Sequence, residues 1–145
     1  MIAGIGPQED ELRRLAGELD LVEVVELMGR RGDVPDVLAA LDVAVLSSKH
    51  EGSPLAVIEY MAAGAPIVAS AVGGVPEIVR DGEECLLVEP GDPRALARAI
   101  ARLLDDRELA HRLGSAARER QRERYDIDAV VRRLEDIYME FYEAA

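Results

Sequence analysis

The sequence predicts an α/β fold, a mostly parallel sheet of about five strands with helices on both faces. Short apolar runs alternate with amphipathic segments along the whole chain, the connections between them are short, and no internal repeat appears. The length, 145 residues, is about one domain's worth of chain, against roughly 100–200 residues per domain. Apolar residues make up 49% and charged residues 32%, a mix that excludes a disordered chain.

Residues 2–5 read as a short strand ending in Gly6-Pro7. A helix over 8–19 follows, because Leu12, Leu15, Ala16 and Leu19 fall on one stripe and Glu9, Asp10 and Glu11 suit the positive end of its dipole. The β-branched stretch 22–28, closed by Gly29, predicts a strand. Asp33 is placed to cap a helix that contains Pro35 and runs to about residue 41. The run 43–46 is continuously apolar, as a strand covered on both faces requires. A helix over 54–63 stops at Gly64, and 66–69 is a second buried strand. Gly73-Gly74 makes a turn before a short helical piece at 75–79, and Asp81-Gly82 makes another before a strand at 85–88. Asp92 caps a helix to about 104, with Pro93 at its favoured first position. Helices over 107–124 and 127–143 finish the chain.

The formal charge is −12. Nucleic-acid binding requires a basic stripe and an anionic membrane surface would repel this chain, so neither is an expected partner. Cys85 is the single cysteine and argues against a disulfide scaffold. No apolar run approaches the roughly 20 residues of a membrane span, and the first residues resemble no cleavable leader. A cytoplasmic protein is expected.

Ligands of parallel sheets bind beyond the carboxyl ends of the strands. The loop Ser47-Ser48-Lys49-His50-Glu51-Gly52-Ser53 is therefore the first place to look. Glu51 and Glu59 lie eight positions apart, about 12 Å along an ideal helix axis, and ionised carboxylates accept several hydrogen bonds from hydroxyl-rich ligands. On spacing alone, Glu51 is equally a helix cap and Glu59 a solvated surface charge. Gly52-Ser53-Pro54-Leu55 is either an ordinary helix start or an anion pocket of free backbone N–H groups. Gly73-Gly74 either brings backbone close to a ligand or is a plain tight turn. Gly4-x-Gly6-Pro7 is half of a dinucleotide fingerprint and lacks its third glycine. His50, His111 and Cys85 lack the spacing of a zinc site, so no metal is expected.

Taken together these motifs are more specific than any one of them. The run from Asp42 to Glu89 resembles the donor-binding, C-terminal half of a GT-B glycosyltransferase of family four, the glycosyl transferases group 1. The Ser48-x-x-Glu51-Gly52-x-Pro54 loop, the two glutamates with seven residues between them, and Met61-Ala62-x-Gly64-x-Pro66-Ile67-Val68-Ala69 carry the likeness. Gly73-Gly74-Val75-Pro76-Glu77-Ile78-Val79 and Leu86-Leu87-Val88-x-Pro90-Gly91-Asp92-Pro93 extend it. The resemblance covers nearly the whole chain and implies a Rossmann-like three-layer sandwich, with a core over about 1–104 and C-terminal helices over 105–145. It implies a nucleotide-sugar donor, retention of anomeric configuration and no cofactor or metal. Glu51 would then hydrogen-bond the donor sugar and Glu59 the ribose, as the catalytic pair. Backbone at Gly52, Ser53, Pro54 and Leu55 would meet sugar and phosphate, and Gly29, Arg30 and Arg31 would flank the base.

Two departures from the family pattern bear on these expectations. Cys85 stands where the family usually has glycine. The family's acceptor-binding N-terminal domain, and the first donor-domain strand with its Arg and Lys, find no match in the residues present. The expectation is a single partial domain over 1–145, inactive alone, with its sheet open between strands 2–5 and 43–46. A second copy or the missing domain would complete that sheet. Tyr125, Tyr138, Phe141 and Tyr142, four of the five aromatics, either pack on the sheet or leave an apolar patch for a partner. Two other functions fit the residues: a non-catalytic or engineered fragment that self-associates through its open sheet, and a nucleotide-sensing module that transfers nothing.

Overall fold

The structure is a computed structural model and describes residues 1–143. Met1–Asp36 form one compact unit and the residues from Val37 onward another. Among the described residues the strands form two sheets, one of two strands and one of three, each parallel within itself.

In the first unit β1 (Ile2–Ala3) pairs with β2 (Leu27–Gly29), Ile2 opposite Leu27, and α1 (Glu9–Glu18) lies between them in sequence. The helix ends where Asp20 turns into the left-handed region at φ 58°, and the Leu21 N–H closes back on the Ala16 carbonyl at 2.8 Å. The strand expected over 22–28 is confined to its last residues. The N–H groups of Val24 and Val25 both bond the Leu21 carbonyl, at 3.0 and 2.8 Å, making a turn. Val22 and Val24 are 62% and 74% exposed, so no burial rewards an extended ladder there and β propensity alone does not hold one.

α2 (Val34–Ala39) leads into the second unit. There the order is β3 (Ala44–Leu46), α3 (Leu55–Ala63), β4 (Ile67–Ser70), α4 (Val75–Ile78), β5 (Leu86–Val88), α5 (Pro93–Asp105), α6 (Arg107–Arg124) and α7 (Ile127–Glu143). The sheet order is β3-β4-β5, with Ala44 beside Ile67 and Val68 beside Leu86. β4 is buried along its whole length because both its faces are covered. Successive side chains of a strand point to opposite faces. Ile67 and Ala69 accordingly join Val57 and Met61 of α3 and Val75 and Ile78 of α4, while Val68 joins Leu86, Leu103 of α5 and Leu113 of α6.

Local signals set the helix ends. Gly64 takes φ 70° as the left-handed cap of α3. Asp92 accepts from the N–H groups of Arg94 and Ala95 at the start of α5, and Asp106 from Leu109 N–H at the start of α6. Of the C-terminal aromatics only Tyr125 packs on the core. Tyr138, Phe141 and Tyr142 are exposed, so the expectation that the cluster simply packs on the sheet fails for these three. Among the described residues no helix is long and apolar enough to cross a membrane. Cys85 is buried after the Asp81-Gly82 turn, and burial pushes its thiol up to about 12, so it is not a thiolate at neutral pH.

Among the described residues Glu84 is the one buried charged side chain, 3% exposed. Its carboxylate accepts from the Arg80 N–H at 2.9 Å and from Arg80 Nη2 at 2.5 Å, with Arg120 Nη1 at 3.8 Å. Burial pushes the Glu84 carboxyl up, but the bonds from Arg80 and the Arg120 charge outweigh it, leaving the carboxyl below its ordinary range. A group depressed in the folded state adds stability above its unfolded value, and that stability is lost as pH falls through the folded one. Glu84→Gln should therefore cost about 1–3 kcal/mol at pH 7. The cost should shrink as pH falls below the ordinary carboxylate range and wild-type Glu84 takes up its proton; urea denaturation across a series of falling pH values checks this.

α3 and α6 meet at a backbone contact. A Cβ on Gly114 would stand 2.3 Å from the Gly64 carbonyl oxygen, a group that cannot rotate away. Alanine favours a helix interior by about 1 kcal/mol over glycine, yet overpacking costs about 1–3 kcal/mol. Gly114→Ala should be net destabilising, read as a lower urea midpoint at unchanged slope; a rise in midpoint would contradict the contact.

Candidate functional site

The carboxyl ends of β3 and β4 carry the two loops that make the candidate site, residues 47–54 and 71–74. The first must bridge a buried strand to a helix that begins at Leu55. Pro54 sets the helix start with no side-chain cap, its ring fixing φ and its missing N–H removing one donor that a first turn would otherwise leave idle.

Glu51 is not a helix cap. Its Oε1 accepts from the Ser48 hydroxyl at 2.6 Å, within the loop itself, a length typical of a charge-assisted O–H···O⁻ bond. Glu59 stands exposed on α3, on the next helical turn but one from Pro54. Tyr60, partly buried on the same helix, senses both carboxylates: burial raises its hydroxyl first, and the charges of Glu59 and Glu51 raise it further. The charges of both glutamates thus reach Tyr60.

Backbone donors are fewer than expected. Pro54 has no N–H, and the Leu55 N–H is committed to the Ser53 carbonyl at 2.9 Å. Of the four residues expected to present N–H groups, Gly52 and Ser53 keep theirs clear of backbone bonds among the described residues. Both are exposed, and the space where a Gly52 side chain would stand is open. Lys49 and His50 are exposed in the same loop. The loop after β4 approaches by its backbone, Gly73 beside Glu51 and Gly74 beside Gly52.

In the first unit, Gly29 ends β2 at φ 62° and Arg30 is exposed beyond it. Arg31 is folded onto Asp33, its Nε 2.8 Å from Oδ1 and its Nη2 on Oδ2. The bond from Arg31 holds the Asp33 carboxyl below its usual range. The Asp33 carboxylate, expected as a helix cap, is thus occupied by Arg31, which in turn is a tethered cation. Gly4, Gly6 and Pro7, with Ile2, Leu12 and Leu27, line a cavity of about 210 Å³ in this unit. Among the described residues no group of three or more His, Cys, Asp or Glu side chains is arranged to hold a metal.

The role of Ser48 is not legible from composition, although the Ser-x-x-Glu spacing places its hydroxyl within reach of Glu51. Tyr60 has no sequence signal at all, since an aromatic on a helix reads as core.

The chain is similar to a known family of proteins. The glycosyl transferases group 1 family matches residues 1–120. The chain is 33% identical over 138 residues to N-acetyl-alpha-D-glucosaminyl L-malate synthase of Bacillus anthracis, covering 95% of this chain and 36% of that protein. It is 42% identical over 108 residues to D-inositol 3-phosphate glycosyltransferase of Streptomyces griseus, covering 73% of this chain and 23% of that one. Among solved structures, sucrose-phosphate synthase of Thermosynechococcus elongatus superposes with a TM-score of 0.86 at 33% identity, over 98% of this chain and 38% of its own. Anabaena HepE, solved with UDP, superposes at 0.89 with 26% identity, over 95% of this chain and 40% of its own. The chain thus spans well under half the length of these relatives, in the region of their Rossmann-like GT-B domain. It belongs to the glycosyl transferases group 1 family.

Proposed function

We propose that this chain is the nucleotide-sugar-binding domain of a retaining glycosyltransferase, which moves a sugar from a nucleotide-diphosphate donor to an acceptor. The observation that carries this is the loop after β3, where a Glu51 carboxylate oriented by Ser48 stands beside the exposed Gly52 and Ser53 N–H groups. Relatives add support: the HepE structures hold UDP and UDP-glucose.

Glu51 accepts hydrogen bonds from the hydroxyls of the donor sugar, which an anionic acceptor with fixed orientation discriminates from water. Glu59, one step further along α3, accepts from the ribose. Gly52 and Ser53 donate toward the phosphate or sugar oxygens, aided by the positive end of α3. Loss of the nucleotide diphosphate builds negative charge on the leaving oxygens, and donors already aimed at that position lower the barrier. Transfer itself also requires a site for the acceptor.

A second function, self-association through a strand edge, draws on β3 lying at one edge of its sheet and on the exposed apolar residues of α7. Sedimentation velocity decides it: a concentration-dependent dimer supports self-association and a clean monomer removes it.

Calorimetric titration with UDP-, GDP- and ADP-sugars should show one nucleotide class binding. Glu59→Ala should weaken both the nucleotide sugar and the free nucleotide by about 1–3 kcal/mol, the scale of charged hydrogen bonds. Glu51→Ala should weaken the nucleotide sugar and leave free UDP, GDP or ADP unchanged. Equal loss for both ligands in Glu51→Ala contradicts the sugar-facing role.

A further inference from the structure

A carboxylate on a loop discriminates hydroxyls only if the loop stands still, and the loop of residues 47–54 has no strand partner of its own. We propose that the Gly73-Gly74 turn is the seat of this loop and that Ser48 locks the carboxylate upon it, making Ser48, Gly73 and Gly74 positioning residues for Glu51. This rests on Glu51 facing the donor sugar.

The seat is a contact of backbone on backbone. A Cβ on Gly73 would stand 1.7 Å from the Glu51 carbonyl oxygen and 2.8 Å from its carbonyl carbon. A Cβ on Gly74 would stand 2.4 Å from the Gly52 carbonyl oxygen and 3.5 Å from Pro54 Cδ. Two consecutive glycines therefore lie against two consecutive carbonyls, and no side chain fits between. Gly82 and Gly91, by contrast, have left-handed φ and open space where a side chain would be.

The two seat glycines are required for different reasons. Gly73 has φ 49°, so its own conformation favours glycine, and the contact with Glu51 excludes a side chain as well. Gly74 has φ −75° and ψ −2°, which any residue adopts, so only the contact with Gly52 excludes a side chain there. The seat is itself anchored, because the residues on either side, Val72 and Val75, are buried with Val57 of α3. Val72 N–H bonds the Ser70 carbonyl at 2.9 Å, and Val75 N–H bonds the Val72 carbonyl at 3.0 Å. Core packing is thus passed through two glycines to the backbone of Glu51 and Gly52. Ser48 then fixes what the backbone leaves free, the rotation of the carboxylate, by holding Oε1 and leaving Oε2 for a ligand.

The test measures the Kd ratio of UDP to UDP-glucose, and amide hydrogen exchange of the ligand-free chain across residues 48–53. The variants are Glu51→Ala, Ser48→Ala, Ser48→Thr, Gly74→Ala and, as a control that strains φ without touching the loop, Gly91→Ala. Ser48→Ala and Gly74→Ala should reduce the ratio toward that of Glu51→Ala, by about tenfold, the weight of one charge-assisted hydrogen bond. Free UDP should bind as before, Ser48→Thr should keep the ratio, and Gly91→Ala should lower the melting temperature alone. Gly74→Ala should also speed exchange in residues 48–53, an effect independent of any ligand.

A ratio lost in Glu51→Ala but kept in Ser48→Ala and Gly74→Ala overturns the positioning role and leaves Glu51 in place. A ratio unmoved by Glu51→Ala overturns the sugar-facing role instead. Exchange unchanged by Gly74→Ala overturns the seat whatever binds, and if Gly74→Ala does not fold, the Ser48→Ala and Ser48→Thr pair decides the proposal.

Discussion

Everything at the candidate site depends on β4 being covered on both faces. Its four residues are buried, Ile67 and Ala69 against α3 and α4, Val68 against α5 and α6. A strand so enclosed holds its neighbours in register, Ala44 to Ile67 on one side and Val68 to Leu86 on the other. The carboxyl ends of β3 and β4 then lie side by side, and the loops leaving them have no choice but to touch. Fully burying each large aliphatic side chain here contributes about 1.5–3 kcal/mol. The site is rigid at its base because the hydrophobic core ends directly beneath it.

Close approach recurs as a construction rule in this unit. α6 meets the turn after α3 where Gly114 faces the Gly64 carbonyl, and the turn before α4 meets the loop before α3 where Gly73 and Gly74 face Glu51 and Gly52. In both places backbone packs on backbone, so the spacing is set by atoms that cannot change rotamer. Charge is handled in the opposite way. Glu84 is brought inside and bound by Arg80 and Arg120, whereas Glu51 and Glu59 are kept at the surface with acceptor capacity to spare. An uncompensated carboxylate costs little when hydrated and much when buried, so Glu51 and Glu59 stand outside the core while the ion-paired Glu84 stands inside it.

Local signals made much of this legible. The Gly64 stop, the Asp92-Pro93 start and the continuous apolar runs at β3 and β4 each express a preference that tertiary packing then reinforces. The helices 107–124 and 127–143 follow from periodicity alone. Illegible stretches are those where a local preference meets no burial. Residues 22–25 are β-branched yet form a turn, because nothing covers Val22 and Val24. Asp33 reads as a cap and instead holds Arg31, since a guanidinium two residues away offers a bidentate partner. Tyr138, Phe141 and Tyr142 are exposed, which decides between the two placements that sequence left open for them.

By itself the sequence determined the α/β class, the parallel strands and the family, because each is carried by residue type at fixed spacing. The tertiary structure alone decided that Glu51 bonds Ser48 rather than a helix end, and that Leu55 spends its N–H on Ser53. It alone showed that the paired glycines press on the glutamate loop. These are distances between segments far apart in the chain, and they exist only once the core beneath β4 has brought the segments together.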